Sequence, residues 1–547
     1  MEGAAVHVKI MVKFRNIRVS LKTGRFYSTR NEYKLICGLE IHTQLNTDNK
    51  LFSLSTNAPF KSLNTPNKHV SHFDASLPGT RPKLNYECVL DALKLALSLN
   101  CNVNLNSHFD RKHYFYGDQP QGYQLTQHYS PIATEGYMNL YTDIDTIDTP
   151  TKKIGIIQLQ LEQDTGISHY DNQEKTTMID LNRSNVPLIE LVTKPDFTTI
   201  PQVIAFIKKY QNLVRNLDVS TGNLETGAIR VDVNVSVDTY PRVELKNLPN
   251  TSSISNAIKY EYKRQVNIIK QGKASELLNC QETRGWNGKE TVKLRSKETT
   301  IDYRYMPDPE LGCVTLDPSI VQNVRNSLPR SSDDEIRSLM EEPYNLSVKN
   351  AKLLCVHNEK NEQYTSIEVK DFYLTSFDLF QKSNAKLSFK EKKIVANWVI
   401  NELLGNLNKL ELSLREIKQS FPPEKFVEFI QLIHDGKISN TGGKTLLFYI
   451  LNLIKEKSIS VELNLPKLVN ELKIEVQSTI NDDELLSQCK DIIDEVNESD
   501  PKLIEAIKLG KRINLLNYLV GIAMKKTRGR VKPTEYQRLF KFLLKIE

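Results

Sequence analysis

At 547 residues, with 25% charged and 39% hydrophobic side chains, the chain is too long for one ordinary core and too evenly composed for wholesale disorder, so about two to four domains of an enzyme or large scaffold are expected. Its net charge of +7 over this length points only weakly to a polyanionic partner, so the placement of charge is more telling than the sum. The seven scattered cysteines (Cys37, Cys88, Cys101, Cys280, Cys313, Cys355, Cys489) show no CxxC and argue against a zinc or disulfide framework, while no apolar run approaches the ~20 residues that span a bilayer.

Residues 1–30 set Lys9, Lys13, Arg15, Arg18, Lys22, Arg25 and Arg30 against the single acid Glu2. Such a basic, nearly acid-free stretch reads as a mitochondrial presequence, processed near Arg25 to Arg30, with a basic arm as the alternative.

From about 33 to 315 the pattern predicts strands with intervening helices. In Gly38 to Leu45 a period of two puts Glu40, His42 and Gln44 on one face and Leu39, Ile41 and Leu45 on the other. In Ile157 to Asp164 the apolar set is Ile157, Leu159 and Leu161, against Gln158, Gln160, Glu162 and Asp164. The run from Arg230 to Val237 alternates without a break, with Arg230, Asp232, Asn234 and Ser236 on its polar side. A solvated sheet face is ordinarily rich in Lys, Thr and Glu. These faces offer His, Gln, Asn, Asp and Arg, groups that hold geometry through directed hydrogen bonds or metal contacts, and together they predict a polar cradle.

Two further stretches are dense in chemistry. Asp110 to Gln127 interleaves Tyr114, Phe115, Tyr116 and Tyr123 with Lys112, His113, Asp118, Gln124 and Gln127, which suits either stacking on a base or a local aromatic core. Asp302 to Pro309 sets Arg304 between Tyr303 and Tyr305, ahead of two prolines that fix backbone direction; structural bracing explains it equally well.

From 316 to 430 the spacing predicts helices, as in Ile394, Val395, Trp398, Val399, Leu403 and Leu404, and a final helical region follows with turn-like breaks at 440–443 and 498–501. Gly442-Gly443-Lys444-Thr445 lacks the earlier glycine of a P-loop, since that position is Ile438, and is read as a helix-initiating turn. Between Lys502 and Ile546 twelve basic residues face only Glu505 and Glu535. Lys525, Lys526, Arg528, Arg530 and Lys532 bunch after an amphipathic run, as expected of an end that meets nucleic-acid phosphates, with a solvated helix end as the alternative.

The segments GLEIHTQLNTDNKLFS (38–53), HYFYGDQPQGYQLTQ (113–127), LEQDTG (161–166), LNRSNVPLIELVTKPDF (181–197), ETGAIRVDVNVSV (225–237), ELKNL (244–248), QETR (281–284) and LRSKETTIDYRYMPDPEL (294–311) resemble, in order, the signature of the B subunit of glutamyl-tRNA(Gln) amidotransferase. The match is dense over 38–311. Residues 434–533, with DGKIS (435–439) and LVGIAMKKTRGRVKP (519–533), resemble the family's tail more loosely, and 312–430 carries no motif.

The resemblance implies an α+β fold: an N-terminal cradle of mainly antiparallel sheet with helices (31–315), a helical linker domain (316–430) and a helical, YqeY-like tail (431–547). It implies a mitochondrial ligase in which ATP phosphorylates the glutamyl side chain of Glu-tRNA(Gln) and ammonia from glutamine displaces the phosphate. Mg²⁺ is implied with ATP. The expected partners are an amidase subunit (GatA-like), a small third subunit (GatC-like or fungal GatF-like) and the tRNA. Glu40 and His42 fall on the family's metal-site positions, with Glu162 and Glu190 as further ligands. Glu40, His42, Arg183 and Lys246 form the implied catalytic set and Tyr116, Gln124 and Asp118 the nucleotide contacts, with a buried structural polar role as the alternative for Tyr116, Gln124, Arg183 and Lys246; Lys525, Lys526, Arg528 and Arg530 are read from the basic tail as the tRNA contacts. The chain departs from the family's usual pair of adjacent glutamates, offering Glu162 and then the uncharged Gln163, with Asp164 next. A noncatalytic tRNA scaffold and a free-standing ligase are the alternatives, the latter disfavoured because no nucleophile constellation for glutamine hydrolysis is visible.

Overall fold

The computed structural model describes residues 33–57, 65–278, 282–296, 303–356, 363–384, 388–456, 463–476, 482–499, 503–504, 507, 515–527 and 531–544. The expected presequence (1–30), Arg528 and Arg530 lie outside the described residues.

The N-terminal part is built on a twelve-stranded sheet whose centre is β1 (Leu35–Gln44). On one side of β1 follow β11 (Ile229–Val237), β12 (Val243–Lys246), β13 (Glu282–Trp286) and β14 (Thr291–Ser296). On the other side come β10 (Pro187–Thr193), β7 (Thr151–Gln163), β5 (Tyr123–Thr126), β4 (Asp110–His113) and β15 (Met306–Pro307), while β6 (Ala133–Tyr141) joins β7 and carries β2 (Asn102–Val103). Among the described residues only the β12–β13 pairing is parallel, so the expected mainly antiparallel cradle is what forms. Two small pairs stand apart, β3 (Asn106–Ser107) with β16 (Val314–Thr315), and the hairpin β8 (Ile167–Asp171) to β9 (Thr176–Asp180).

The alternation decides which face is buried. Cys37, Leu39 and Ile41 of β1 and Val231, Val233 and Val235 of β11 enter one core with helices Tyr86–Ser98, Ile200–Asn216 and Thr251–Lys270, each buried side chain stabilising by roughly 1.5–3 kcal/mol. Asn85 and Asn250 cap the first and last of these helices through the N–H groups of Glu87 and Ser253. The alternating polar residues are thereby left on the opposite face.

One expected phase is corrected. Ile157 was placed with the inward set but is 43% exposed, whereas Ile154 and Ile156 are buried. The register between β10 and β7 steps from Val192↔Gln158 to Thr193↔Ile156, so Ile157 is the extra residue of a β-bulge and the inward phase changes there. Beyond the bulge the alternation from Gln158 to Glu162 holds.

Helical residues from Ile336 to Ile474, joined by Ile144, make a second core, and Leu485 to Leu544 make a third. The Gly442-Gly443 turn is a helix start, as expected: Ser439 accepts from the Gly442 N–H and caps helix Asn440–Lys455. A Cβ on Gly443 would stand 2.8 Å from both Ile433 and Trp398, and Lys444 pairs with Glu402, so this motif serves packing. Among the described residues no helix is long and apolar enough to cross a membrane.

Candidate metal centre on the cradle face

Strand register brings together residues far apart in sequence. His42 of β1 lies opposite Glu190 of β10 and, on its other side, opposite Arg230 of β11. Glu190 in turn lies opposite Gln160 of β7, two residues before Glu162, and Glu162 pairs with Thr126 of β5. Gln124 of β5 faces Lys112 of β4. His42, Glu162 and Glu190 each offer a ligand atom, and the three atoms lie within 4.8 Å of one another.

The cluster is held by amides. Gln124 Nε2 donates to Glu162 Oε1 at 2.6 Å, and Gln160 Nε2 donates to Glu190 Oε2. Glu162 is 3% exposed, yet its second oxygen, Oε2, is buried without a hydrogen-bond partner. An orphaned carboxylate oxygen carries a desolvation penalty that a cation relieves. Two carboxylates and an imidazole fit a divalent ion; the carboxylates suit Mg²⁺ and the imidazole adds affinity for softer ions such as Mn²⁺.

Electrostatics agree with this donor set. Burial pushes the His42 pKa below the ordinary histidine value, aided by Arg230 and opposed by Glu162, which favours the neutral, ligating imidazole. Burial raises the Glu190 carboxyl, with Lys112 pulling it back down and Glu40 adding to the rise. Lys112 is held above the lysine range chiefly by Glu162, so it remains an ammonium beside the cluster.

Glu40 shares the His42 face but is not in this group; its Oε1 accepts from Asn234 Nδ2 at 2.9 Å and it lies opposite Asp232. Lys246 donates to Asp232 at 2.8 Å and pairs with Glu244 at 3.3 Å, and Glu244 also accepts from Thr283. Burial acts against the Lys246 charge, but the two carboxylates outweigh it and raise its pKa. A second cluster joins Asp164 to Arg230 at 3.0 Å and to Arg183 at 3.7 Å. Arg183 also donates to the carbonyls of Thr165 and Gly166, clamping that turn. Arg230 Nε and Gln44 Oε1 are buried without hydrogen-bond partners beside Asp164.

Gln163 does not join the metal group: its Nε2 reaches Gln121 at 3.0 Å, while the next residue, Asp164, pairs with arginines. Asp118 is tied in through its carbonyl, which accepts from Gly166 N at 2.8 Å, whereas Tyr116 is 57% exposed on the β4–β5 hairpin with its ring 4.5 Å from Tyr114. Phe115 and Tyr116 are exposed, so this loop is not an aromatic core. In the tail, Lys525 and Lys526 are exposed at the end of helix Leu516–Lys526, with Lys526 paired to Glu495 at 2.6 Å. Sequence reasoning assigned no site role to Lys112, Gln160 or Arg230: Gln160 and Arg230 were legible only as alternating polar residues on strands and Lys112 only as a member of the aromatic stretch, because their significance comes from the neighbouring strand.

A family model described as the GatB/GatE catalytic domain matches residues 35–322, and one described as the GatB domain matches 378–544. The chain is 56% identical over 518 residues to the B subunit of the mitochondrial glutamyl-tRNA(Gln) amidotransferase of Vanderwaltozyma polyspora, covering 94% of this chain and 96% of that protein. Proteins with the same description from Kluyveromyces lactis (54%; 98% of this chain, all of the relative) and Saccharomyces cerevisiae (51%; 96% of this chain, all of the relative) are also similar.

Proposed function

Since the chain belongs to the family of glutamyl-tRNA(Gln) amidotransferase B subunits, we propose that its cradle face is where the glutamyl side chain of Glu-tRNA(Gln) is activated by ATP before amidation. The protein is the B subunit of a mitochondrial, tRNA-dependent amidotransferase that makes Gln-tRNA(Gln), a ligase of protein biosynthesis working in a hetero-oligomeric complex. In our reading the other subunits are a GatA-like amidase that releases ammonia from glutamine and a small GatC-like or fungal GatF-like chain.

A carboxylate is a poor acyl donor. Its oxygen attacks the γ-phosphorus of ATP, ADP leaves, and the acyl phosphate that results gives ammonia an acyl carbon with phosphate as leaving group. Phosphoryl transfer of this kind depends on positioning and charge neutralisation more than on covalent help from the protein. Glu162, Glu190 and His42 would hold Mg²⁺, with Glu40 alongside on Asn234. When bound, the ion neutralises phosphate charge and orients the triphosphate. Lys112, kept cationic by Glu162, is placed to meet phosphoryl oxygens, with Gln124 fixing the carboxylate between them. Arg230 and Lys246 put further positive charge along the same face, suited to the substrate carboxylate, and Arg183 holds the turn that positions Asp164 under Arg230. Tyr116 and Asp118 are read as nucleotide contacts, and the basic end of the tail, Lys525, Lys526, Arg528 and Arg530, is proposed to meet tRNA phosphates.

The convergence of His42, Glu162 and Glu190 from three strands, with one buried carboxylate oxygen unpartnered, carries this reading. The test is a complex assembled with His42→Ala or Glu190→Gln, followed for glutamine- and ATP-dependent amidation of mitochondrial Glu-tRNA(Gln) alongside glutaminase activity. Amidation should collapse while glutamine hydrolysis persists. Full amidation by both variants would leave the chain as a tRNA scaffold.

A further inference from the structure

The segment around Tyr303 and Tyr305 takes no part in the metal cluster, yet it is fixed to the strand that carries Lys112. Met306 and Pro307 pair with Arg111 and Asp110 of β4. Arg111 Nε donates to Asp308 Oδ2 at 2.6 Å with its guanidinium 4.2 Å above the Tyr123 ring, and Asp308 also accepts the N–H groups of Glu310 and Leu311. His113 N donates to the Tyr303 carbonyl at 2.9 Å, and His113 Nδ1 lies 2.8 Å from the carbonyl of Arg304. Across the same strand, the Asp110 carboxylate accepts the Tyr129 N–H at 2.9 Å.

These ties place four rings together. Tyr305 lies flat on His128, centroids 3.9 Å apart and planes 11° from parallel. Tyr129 stands edge-on to both, at 4.8 Å from His128 and 6.1 Å from Tyr305, and Tyr303 is 6.1 Å from Tyr305. A cluster of this size in a core would be dry, but His128 and Tyr129 are exposed and Tyr129 keeps 64% of its surface in solvent. Lys112 Nζ lies 5.2 Å from the centre of the Tyr303 ring, and Gln124, opposite Lys112 in register, donates to Glu162. A preorganised, solvent-facing aromatic shelf therefore lies one cation away from the carboxylate cluster.

We propose that His128, Tyr129 and Tyr305 form a stacking site for an adenine base, whose ribose then faces Lys112 and the carboxylates of Glu162 and Glu190. Aromatic faces bind bases by stacking, and rings already locked in place lose little freedom on doing so. The proposal rests on reading the cluster as the phosphoryl-transfer site. Both substrates of that reaction end in adenine: ATP, and the 3′-terminal adenosine to which the glutamyl group is esterified.

The assembled complex is tested with His128→Ala, Tyr129→Ala and Tyr305→Leu, with Tyr305→Phe as the variant that keeps the stack. The KM for ATP and the KM for Glu-tRNA(Gln) are measured separately, and [³H]ADP binding is followed by equilibrium dialysis without Mg²⁺. If the shelf holds the base of ATP, the KM for ATP and the ADP dissociation constant rise about ten-fold or more in the first three variants, and Tyr305→Phe stays near wild type. If it holds the terminal adenosine, only the KM for Glu-tRNA(Gln) rises, by a similar factor, and ADP binding is unchanged. Unchanged constants in His128→Ala and Tyr129→Ala, with Tyr305→Leu lowering only the melting temperature, would overturn the proposal and make the rings a brace. Because the dialysis omits Mg²⁺, the ADP arm stands even if the His42 variants remove the metal site.

Discussion

His42 Nε2 and Glu190 Oε2 face each other across β1 and β10 at 3.9 Å, too far for a hydrogen bond and within the reach of two ligands to one ion. Ligands at about 2.1 Å from Mg²⁺ stand about 3.0 Å apart when adjacent and about 4.2 Å when opposite. Gln124 holds Glu162 in the same space through Oε1 alone, so the cradle holds its donors open without letting them collapse onto one another.

Gln160 fixes the Glu190 carboxylate without being one of the three donors. Gln160→Leu should raise the Mg²⁺ concentration needed for half-maximal amidation by roughly 10- to 100-fold, with much of the rate recovered at saturating Mg²⁺. A Mg²⁺ titration identical to wild type would show that the Gln160 hydrogen bond does not position a ligand.

Lys112 is kept charged by Glu162, and in the proposed reaction it meets the transferred phosphoryl group. Lys112→Met should lower kcat for amidation by about 100-fold or more while glutaminase activity and complex assembly persist. Loss of ATP affinity alone, with kcat intact, would assign Lys112 to ground-state binding.

Asp164 gives a pH signature. Burial pushes its pKa up, but Arg230 and Arg183 outweigh burial and hold it below the ordinary value of 3.8. A carboxyl depressed in the folded state contributes stability above its unfolded pKa and loses it as pH falls through the folded pKa. Asp164→Asn should therefore cost about 2–3 kcal/mol in urea unfolding at pH 7, and the gap should close only below about pH 3.8. A difference independent of pH down to pH 3 would trace the loss to packing.

In the tail, Lys525 is exposed and Lys526 already has a carboxylate partner in Glu495. Neutralising Lys525, Lys526, Arg528 and Arg530 to Gln should weaken tRNA binding and flatten the slope of log K against log salt by about 0.7–0.9 for each phosphate no longer neutralised. Lys525→Gln alone should change the slope more than Lys526→Gln, whose charge is partly spent on Glu495. Equal slopes for the fourfold variant and wild type would remove the tail from the tRNA interface.

Much of the cradle could be read directly. The alternation in Gly38–Leu45 and Arg230–Val237 gave the right buried faces because a strand's period of two depends only on local backbone geometry. It failed at Ile157, where the ladder to β10 inserts one extra residue, something no local pattern in β7 announces. The aromatic hairpin was ambiguous in sequence, and Phe115 and Tyr116 turned out to be exposed. His128 and Tyr129 escaped notice altogether, since their place beside Tyr305 is made by a segment about 175 residues further along the chain.

Long ordered motifs were enough to name the family, and alternation was enough to assign the strand faces on which Glu40, His42, Glu162 and Asp232 lie. Which of them meet was settled by the folded arrangement of the strands. Antiparallel register set His42 against Glu190 and Glu40 against Asp232, so the imidazole shares its space with the acids of β10 and β7 while Glu40 is turned to Asn234. The physical reason is that alternation fixes the side of a sheet to which a residue points, whereas the distance between donors depends on strand order and register, which are settled by packing the apolar face.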